Sequence, residues 1–140
     1  MACALGFGFV PAFAVRAFAA TGPAAKDTVQ GKLVERKDKA PLLRTGDGRE
    51  IELSGDDETL KVLNDPRLDG VTLEAIGHFT SAAQFAIGPL YDTNMFVLKN
   101  GKRLHITYWC NVCSIRTYVP GNCVCCQKWT DLDLQDPNQK

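Results

Sequence analysis

The chain has 140 residues, enough for one domain with a modest hydrophobic core. Its hydrophobic (45%) and charged (23%) fractions are those of an ordinary globular protein, which excludes fibrous and disordered classes. Sixteen basic residues balance sixteen acidic ones, so the chain lacks the excess that neutralises a phosphate backbone, and nucleic acid is disfavoured as a partner.

The N-terminus differs from everything after it. Residues 4–15 (ALGFGFVPAFAV) are apolar, and Arg16 is the first charge, with none following until Lys26. Ala17-Phe18-Ala19 has the small-x-small pattern that signal peptidase reads. It predicts a signal peptide over residues 1–19, cleavage before Ala20, and export to a periplasm or to the exterior. The departure from the usual signal is the missing basic start, since Met1-Ala2-Cys3 carries no Lys or Arg. Pro11 and Arg16 interrupt the run, which falls short of the ~20 apolar residues of a spanning helix. No stable membrane insertion is expected after cleavage. Cys3 lacks the leucine that marks a lipid-anchored cysteine.

Residues 20–27 (ATGPAAKD) are expected as a flexible lead-in. Residues 28–35 (TVQGKLVE) predict a strand with a bend at Gly31, and 36–39 a charged loop. A second strand over 41–44 leads through Gly46-Asp47-Gly48 into 49–53, where Ile51 and Leu53 alternate with Glu50 and Glu52, giving a hairpin. Ser54-Gly55-Asp56-Asp57 supplies candidate N-caps for a short helix over 58–63, which Asn64-Asp65-Pro66 stops. As a calcium loop Asp56-Asp57-Glu58 fails, because the glycine-centred spacing is absent. Residues 71–79 predict a strand with Val71, Leu73 and Ala75 inward, and 84–87 a shorter one ended by Gly88-Pro89. Asn100-Gly101 is the preferred two-residue hairpin turn and sets a register between 95–99 and 102–109. It pairs Lys99 with Lys102, Leu98 with Arg103, Val97 with Leu104, Phe96 with His105 and Met95 with Ile106, so Met95, Val97, Leu104 and Ile106 share a core face. Six or seven strands with one helix between the third and fourth result. The acidic tail, residues 130–140, is expected to fray.

Five of the six cysteines fall between 107 and 127. Cys110 and Cys113 form one C-x-x-C, Cys123 and Cys126 a second, with nine residues between the pairs. Each short loop lets two sulfurs converge on one ion, and Pro120-Gly121 supplies the reversal that brings the pairs together. This predicts a closed four-thiolate site for zinc, with Cys125 as a possible substitute ligand. Iron, disulfides without metal, and thiol exchange are the rivals; haem attachment is excluded because no histidine follows either pair. After cleavage five cysteines remain, an odd number that disulfides alone would leave unbalanced. His78 and His105 are expected as surface or packing residues. Tyr108, Trp109, Tyr118 and Trp129 are expected as an apolar shell around the site, with a stacking platform as the alternative. No catalytic constellation is present, neither a Ser–His–Asp order, a phosphate loop nor H-E-x-x-H.

Through G-K-L-V-E, D-G-R-E-I-E-L, D-E-T-L-K-V-L and D-G-V-T-L-E-A-I-G, residues 28–109 resemble a small Greek-key barrel of the OB type. Residues 110–129 resemble a zinc-ribbon or rubredoxin-type pair of knuckles. They depart from it where Asn111, Ser114 and Gln127 replace the proline or glycine usual after each cysteine. The whole resembles uncharacterised small exported bacterial proteins, a likeness that implies no activity. The expected fold class is thus mainly β: an OB-like barrel with one short helix and a C-terminal zinc-ribbon-like segment. The expected function is a non-enzymatic module that binds an unknown partner, with an exported thiol-redox or metal-handling protein as the alternative.

Overall fold

Nine strands and a short capping helix organise residues 25–139, the part of the chain that the computed structural model describes. The segment expected as a signal peptide, and most of the lead-in after it, lie outside the described residues. Strand β1 (Asp27–Val34) is followed by the hairpin of β2 (Leu42–Arg44) and β3 (Glu50–Ser54), whose register places Leu43 opposite Ile51. Helix α1 (Asp57–Leu63) then leads through a 3-10 turn (Pro66–Leu68) into the long β4 (Thr72–Ser81) and β5 (Gln84–Ile87). Strand β1 pairs with β2 on one side and β4 on the other, β3 pairs with β5 in parallel, and β5 pairs with β4. The circuit β1-β2-β3-β5-β4-β1 therefore closes, with the helix between β3 and β4, which is the OB connectivity. Closure requires β1 to curve from β4 to β2. The bend falls at Gly31, where a Cβ would collide with the carbonyl of Arg44.

Helix α1 forms because Asp56, in extended conformation, accepts a hydrogen bond from the Thr59 amide at 2.8 Å, and Asp57 and Glu58 complement the helix dipole in the first turn. Val62 and Leu63 are fully buried on the end of the barrel, where they join Leu33, Leu43, Ile51, Leu53, Leu68, Leu73 and Phe85 in one core. Burial of each such side chain contributes about 1.5–3 kcal/mol. No helix among the described residues is long and apolar enough to cross a membrane.

A single helical turn, α2 (Tyr91–Asn94), turns the chain into the hairpin of β6 (Met95–Lys99) and β7 (Lys102–Cys110). Asn100 and Gly101 both have positive φ (52° and 73°), as the expected turn requires, and the observed register matches from Phe96–His105 to Lys99–Lys102. Met95, Val97 and Ile106 are buried, with Leu104 packed partly against the core. Strand β6 pairs with residues 73–75 of β4, continuing the edge that β5 occupies further along, so β7 extends the barrel wall outward.

The tail departs from expectation. Residues Asp131–Gln135 form strand β9, antiparallel to β7 from His105 to Trp109, in place of a frayed end. The sequence D-L-D-L-Q alternates with period two, so Leu132 and Leu134 pack against the core while the carboxylates face out. Composition hid that alternation. Glu74, on the face of β4 opposite Leu73 and Ala75, is nevertheless buried, covered by Gln30 and by Arg103, whose guanidinium lies 2.5 Å from its carboxylate.

Candidate metal centre

Strand β7 runs out of the core directly into Cys110, which is buried at its end. The chain turns through Asn111 and Val112 to Cys113 and returns along β8 (Ile115–Thr117), with Cys110 opposite Ile115. Pro120-Gly121 makes the second reversal. Gly121 has φ +146°, and its carbonyl accepts hydrogen bonds from both the amide and the hydroxyl of Thr130, at 3.0 and 2.9 Å. A bridge between Asn122 and Trp129 closes a small loop that carries Cys123 and Cys126.

The two C-x-x-C loops have the same backbone construction. The Ser114 amide donates to the Cys110 carbonyl at 2.8 Å, and the Gln127 amide donates to the Cys123 carbonyl at 2.9 Å. Ser114 (φ 54°) and Gln127 (φ 60°) are both left-handed. These are the positions after the second cysteine of each pair, where a knuckle favours glycine. The chain adopts the turn without glycine, at a backbone cost of about 1–2 kcal/mol per position.

The result is convergence. The sulfurs of Cys110, Cys113, Cys123 and Cys126 all lie within 4.8 Å of one another, close enough to hold one metal ion. The Cys110 and Cys126 sulfurs are 3.5 Å apart. Four thiolates at about 2.3 Å from a central ion, arranged tetrahedrally, would lie about 3.8 Å apart; a disulfide would bring two sulfurs to about 2.0 Å. The spacing fits a shared ion, and the five cysteines among the described residues are free thiols.

No family model, curated protein or solved structure matches this chain. The centre is therefore assigned on its own geometry.

Cys125 does not join the four. It occupies an inner position of its C-x-x-C loop and is exposed. Cys123 and Cys126, rather than Cys125, are the members of the second pair whose sulfurs converge with Cys110 and Cys113. Cys125 still acts on the centre: it is the largest influence pushing the Cys113 thiol well above its ordinary value, ahead of burial and the Cys126 and Cys123 sulfurs. Crowded sulfurs resist ionising together, and a divalent cation among them reverses that resistance.

A charged latch holds this segment to the barrel. Arg67, in the 3-10 turn, donates from Nε and Nη2 to the two Asp65 carboxylate oxygens at 2.9 and 2.8 Å, and from Nη1 to the Thr130 carbonyl at 2.7 Å. Its guanidinium also lies over the rings of Tyr108 and Trp129, at 5.1 and 5.7 Å from their centroids. Burial pushes the Asp65 carboxyl up, but the hydrogen bonds from the Arg67 side chain and amide outweigh it, and the net displacement is downward. Sequence reasoning missed this latch, taking Asp65-Pro66 only as a helix stop.

The remaining candidates separate. His105 donates from Nδ1 to the Asp92 carbonyl at 3.0 Å and packs edge-on against Phe96, while His78 is exposed on β4; neither belongs to the sulfur group. The expected aromatic shell is only partly realised. Tyr108 is fully buried in the barrel core and Trp109 lies under the Arg116 guanidinium, whereas Tyr118 and Trp129 are exposed.

Proposed function

We propose that this protein is an exported, non-enzymatic β-barrel module whose C-terminal ribbon is held by a structural zinc ion, and that it acts by binding a partner. The observation that carries the reading is the convergence of the four sulfurs of Cys110, Cys113, Cys123 and Cys126. Zinc is favoured over iron because an all-thiolate tetrahedral set suits a redox-inert ion, and the oxidising compartment implied by residues 1–19 disfavours an iron–sulfur cluster. Four protein ligands leave no open position for water or substrate, which supports a structural role. The ion would cross-link β7, β8 and the loop before β9, a region with little apolar core of its own.

Cobalt(II) substitution tests the site. A chain loaded with one equivalent should show the intense visible bands of tetrahedral cobalt with thiolate ligands, and one equivalent of zinc should abolish them. A weak octahedral spectrum, or no uptake by the reduced chain, would refute it. Export is tested separately: processed protein recovered from outside the cytoplasm should begin at Ala20.

A further inference from the structure

Strand β1 is covered along only part of one edge. The Leu33 amide donates to the Val71 carbonyl at 2.9 Å and the Leu33 carbonyl accepts from the Gly70 amide at 2.8 Å, so odd-numbered residues of β1 turn their backbone groups towards β4. Even-numbered residues turn the other way, where Lys32 faces Arg44 and Val34 faces Leu42. Thr28 and Gln30 turn that way too, but β2 has ended at Arg44. Beyond it the Thr45 amide donates to the Arg49 carbonyl at 2.9 Å, which folds the chain back into β3. Two open cavities of about 450 and 390 Å³ lie along the gap and meet at Gln30, Thr45 and Gly46. Among the described residues, no strand pairs with Thr28 and Gln30 on that side.

This edge is also unguarded. Strands β8 and β9 carry Arg116, Asp131 and Asp133, charges of the kind that keep open edges from pairing. Between Asp27 and Lys32, β1 has neither a charge nor a proline. We infer that the edge at Thr28 and Gln30 is a docking site for an extended acidic peptide, which adds a strand in line with β2. The inference rests on the binding role proposed above and gives the partner its chemistry; it makes no use of the zinc ion.

Charge and face decide the occupant. Lys32, Arg44 and Arg49 line the two cavities against a single carboxylate, Asp47. Arg44 and Arg49 pair with Glu50 and Asp47 at exposed positions, and Lys32 joins no ion pair of the described residues. Val29 and Leu33 are buried, so Thr28, Gln30 and Lys32 share the outward face. A peptide residue hydrogen-bonded to Thr28 or Gln30 stands on that same face, and its carboxylate reaches the cavity that Lys32 and Arg44 line. The next peptide residue turns inward, beside Val29 and Phe79, whose ring is 39% exposed. The partner strand therefore alternates acidic and apolar residues. Strand β9 of a second copy has that alternation but does not fit, because its leucines pack against its own core and Arg116 holds Asp133.

The test is fluorescence anisotropy of a capped, fluorescein-labelled peptide of sequence DVDVDVD, titrated at low salt with the zinc-loaded chain. The expected result is saturable binding in the micromolar range. Binding should be about tenfold weaker to Lys32→Glu, and to Thr28→Pro, which removes an edge amide but no bond to β4. A peptide N-methylated at its aspartate amides should also bind about tenfold more weakly, and one with lysine at each aspartate should not bind. Thermal unfolding checks both variants first; should Thr28→Pro not fold, Lys32→Glu and the N-methylated peptide still decide. No saturable binding, equal affinity for the N-methylated peptide, or unchanged affinity in Lys32→Glu would overturn the docking site. So would a single-stranded oligothymidylate that binds more tightly than the peptide and is weakened by the same substitution, which would assign the groove to nucleic acid. Metal is assayed on the same samples. Failure of the peptide on a chain that holds zinc leaves the proposed centre standing, whereas peptide binding by a chain that takes up no zinc refutes the centre and leaves the docking site intact.

Discussion

Replacing Arg67 by alanine tests how the ribbon is held to the barrel. The change removes the forked contact to Asp65, the bond to the Thr130 carbonyl and the two ring contacts at once, and it strands a carboxylate whose residue is only 4% exposed. Breaking a buried pair from one side costs about 3–5 kcal/mol. Because the Arg67 side chain keeps 27% of its exposure, the low end applies, a loss of about 3 kcal/mol. Asp65→Ala with Arg67→Ala should then cost less than the sum of the single changes, since no charge is left unpaired. The pH dependence has a definite sign. The folded carboxyl of Asp65 is depressed, so its contribution is fully present above the unfolded value near 3.9 and is lost as pH falls through the lower folded value. In Arg67→Ala that acid-labile contribution should vanish. Denaturant unfolding followed by tryptophan fluorescence, at fixed zinc, measures all of this. A cost below about 1 kcal/mol, or strict additivity of the double change, would refute the latch.

Three further outcomes follow from the same geometry. Cys110→Ser and Cys123→Ser, each removing a buried sulfur of the convergent group, should lose stoichiometric metal, whereas Cys125→Ser should retain it; elemental analysis of the purified variants decides this. Gln127→Gly relieves a left-handed side chain and should stabilise the zinc-loaded chain by about 0.5–1 kcal/mol, while Gln127→Val should destabilise it, as read by thermal unfolding. Truncation after Thr130 deletes β9 and the packing of Leu132 and Leu134, and should cost about 2–4 kcal/mol in denaturant unfolding, where a frayed tail would cost nothing.

The barrel was legible in the sequence wherever local chemistry and burial agree. Asn100-Gly101 set the β6–β7 register, Asp56 capped α1, and Ile51 and Leu53 declared the inner face of β3, because each signal acts within a few residues. The four converging cysteines were legible for the same reason, since C-x-x-C is a local construction. What escaped detection depends on contacts across the chain. The charge of D-L-D-L-Q masked β9, whose alternation has meaning only beside β7. Arg67 and Thr130 meet across 63 positions, and Glu74 is buried by Gln30 and Arg103 from other strands. Ser114 and Gln127 looked like departures from a knuckle. The hydrogen bonds to Cys110 and Cys123 nevertheless hold both residues in the conformation that glycine would adopt.

Native mass spectrometry of the reduced chain after zinc loading, combined with elemental analysis, tests the central claim most directly. The account predicts one zinc per chain, with four cysteine thiol protons lost and the Cys125 thiol retained. A metal-free mass would contradict it, as would a chain lighter by two hydrogens for each disulfide drawn from Cys110, Cys113, Cys123 and Cys126.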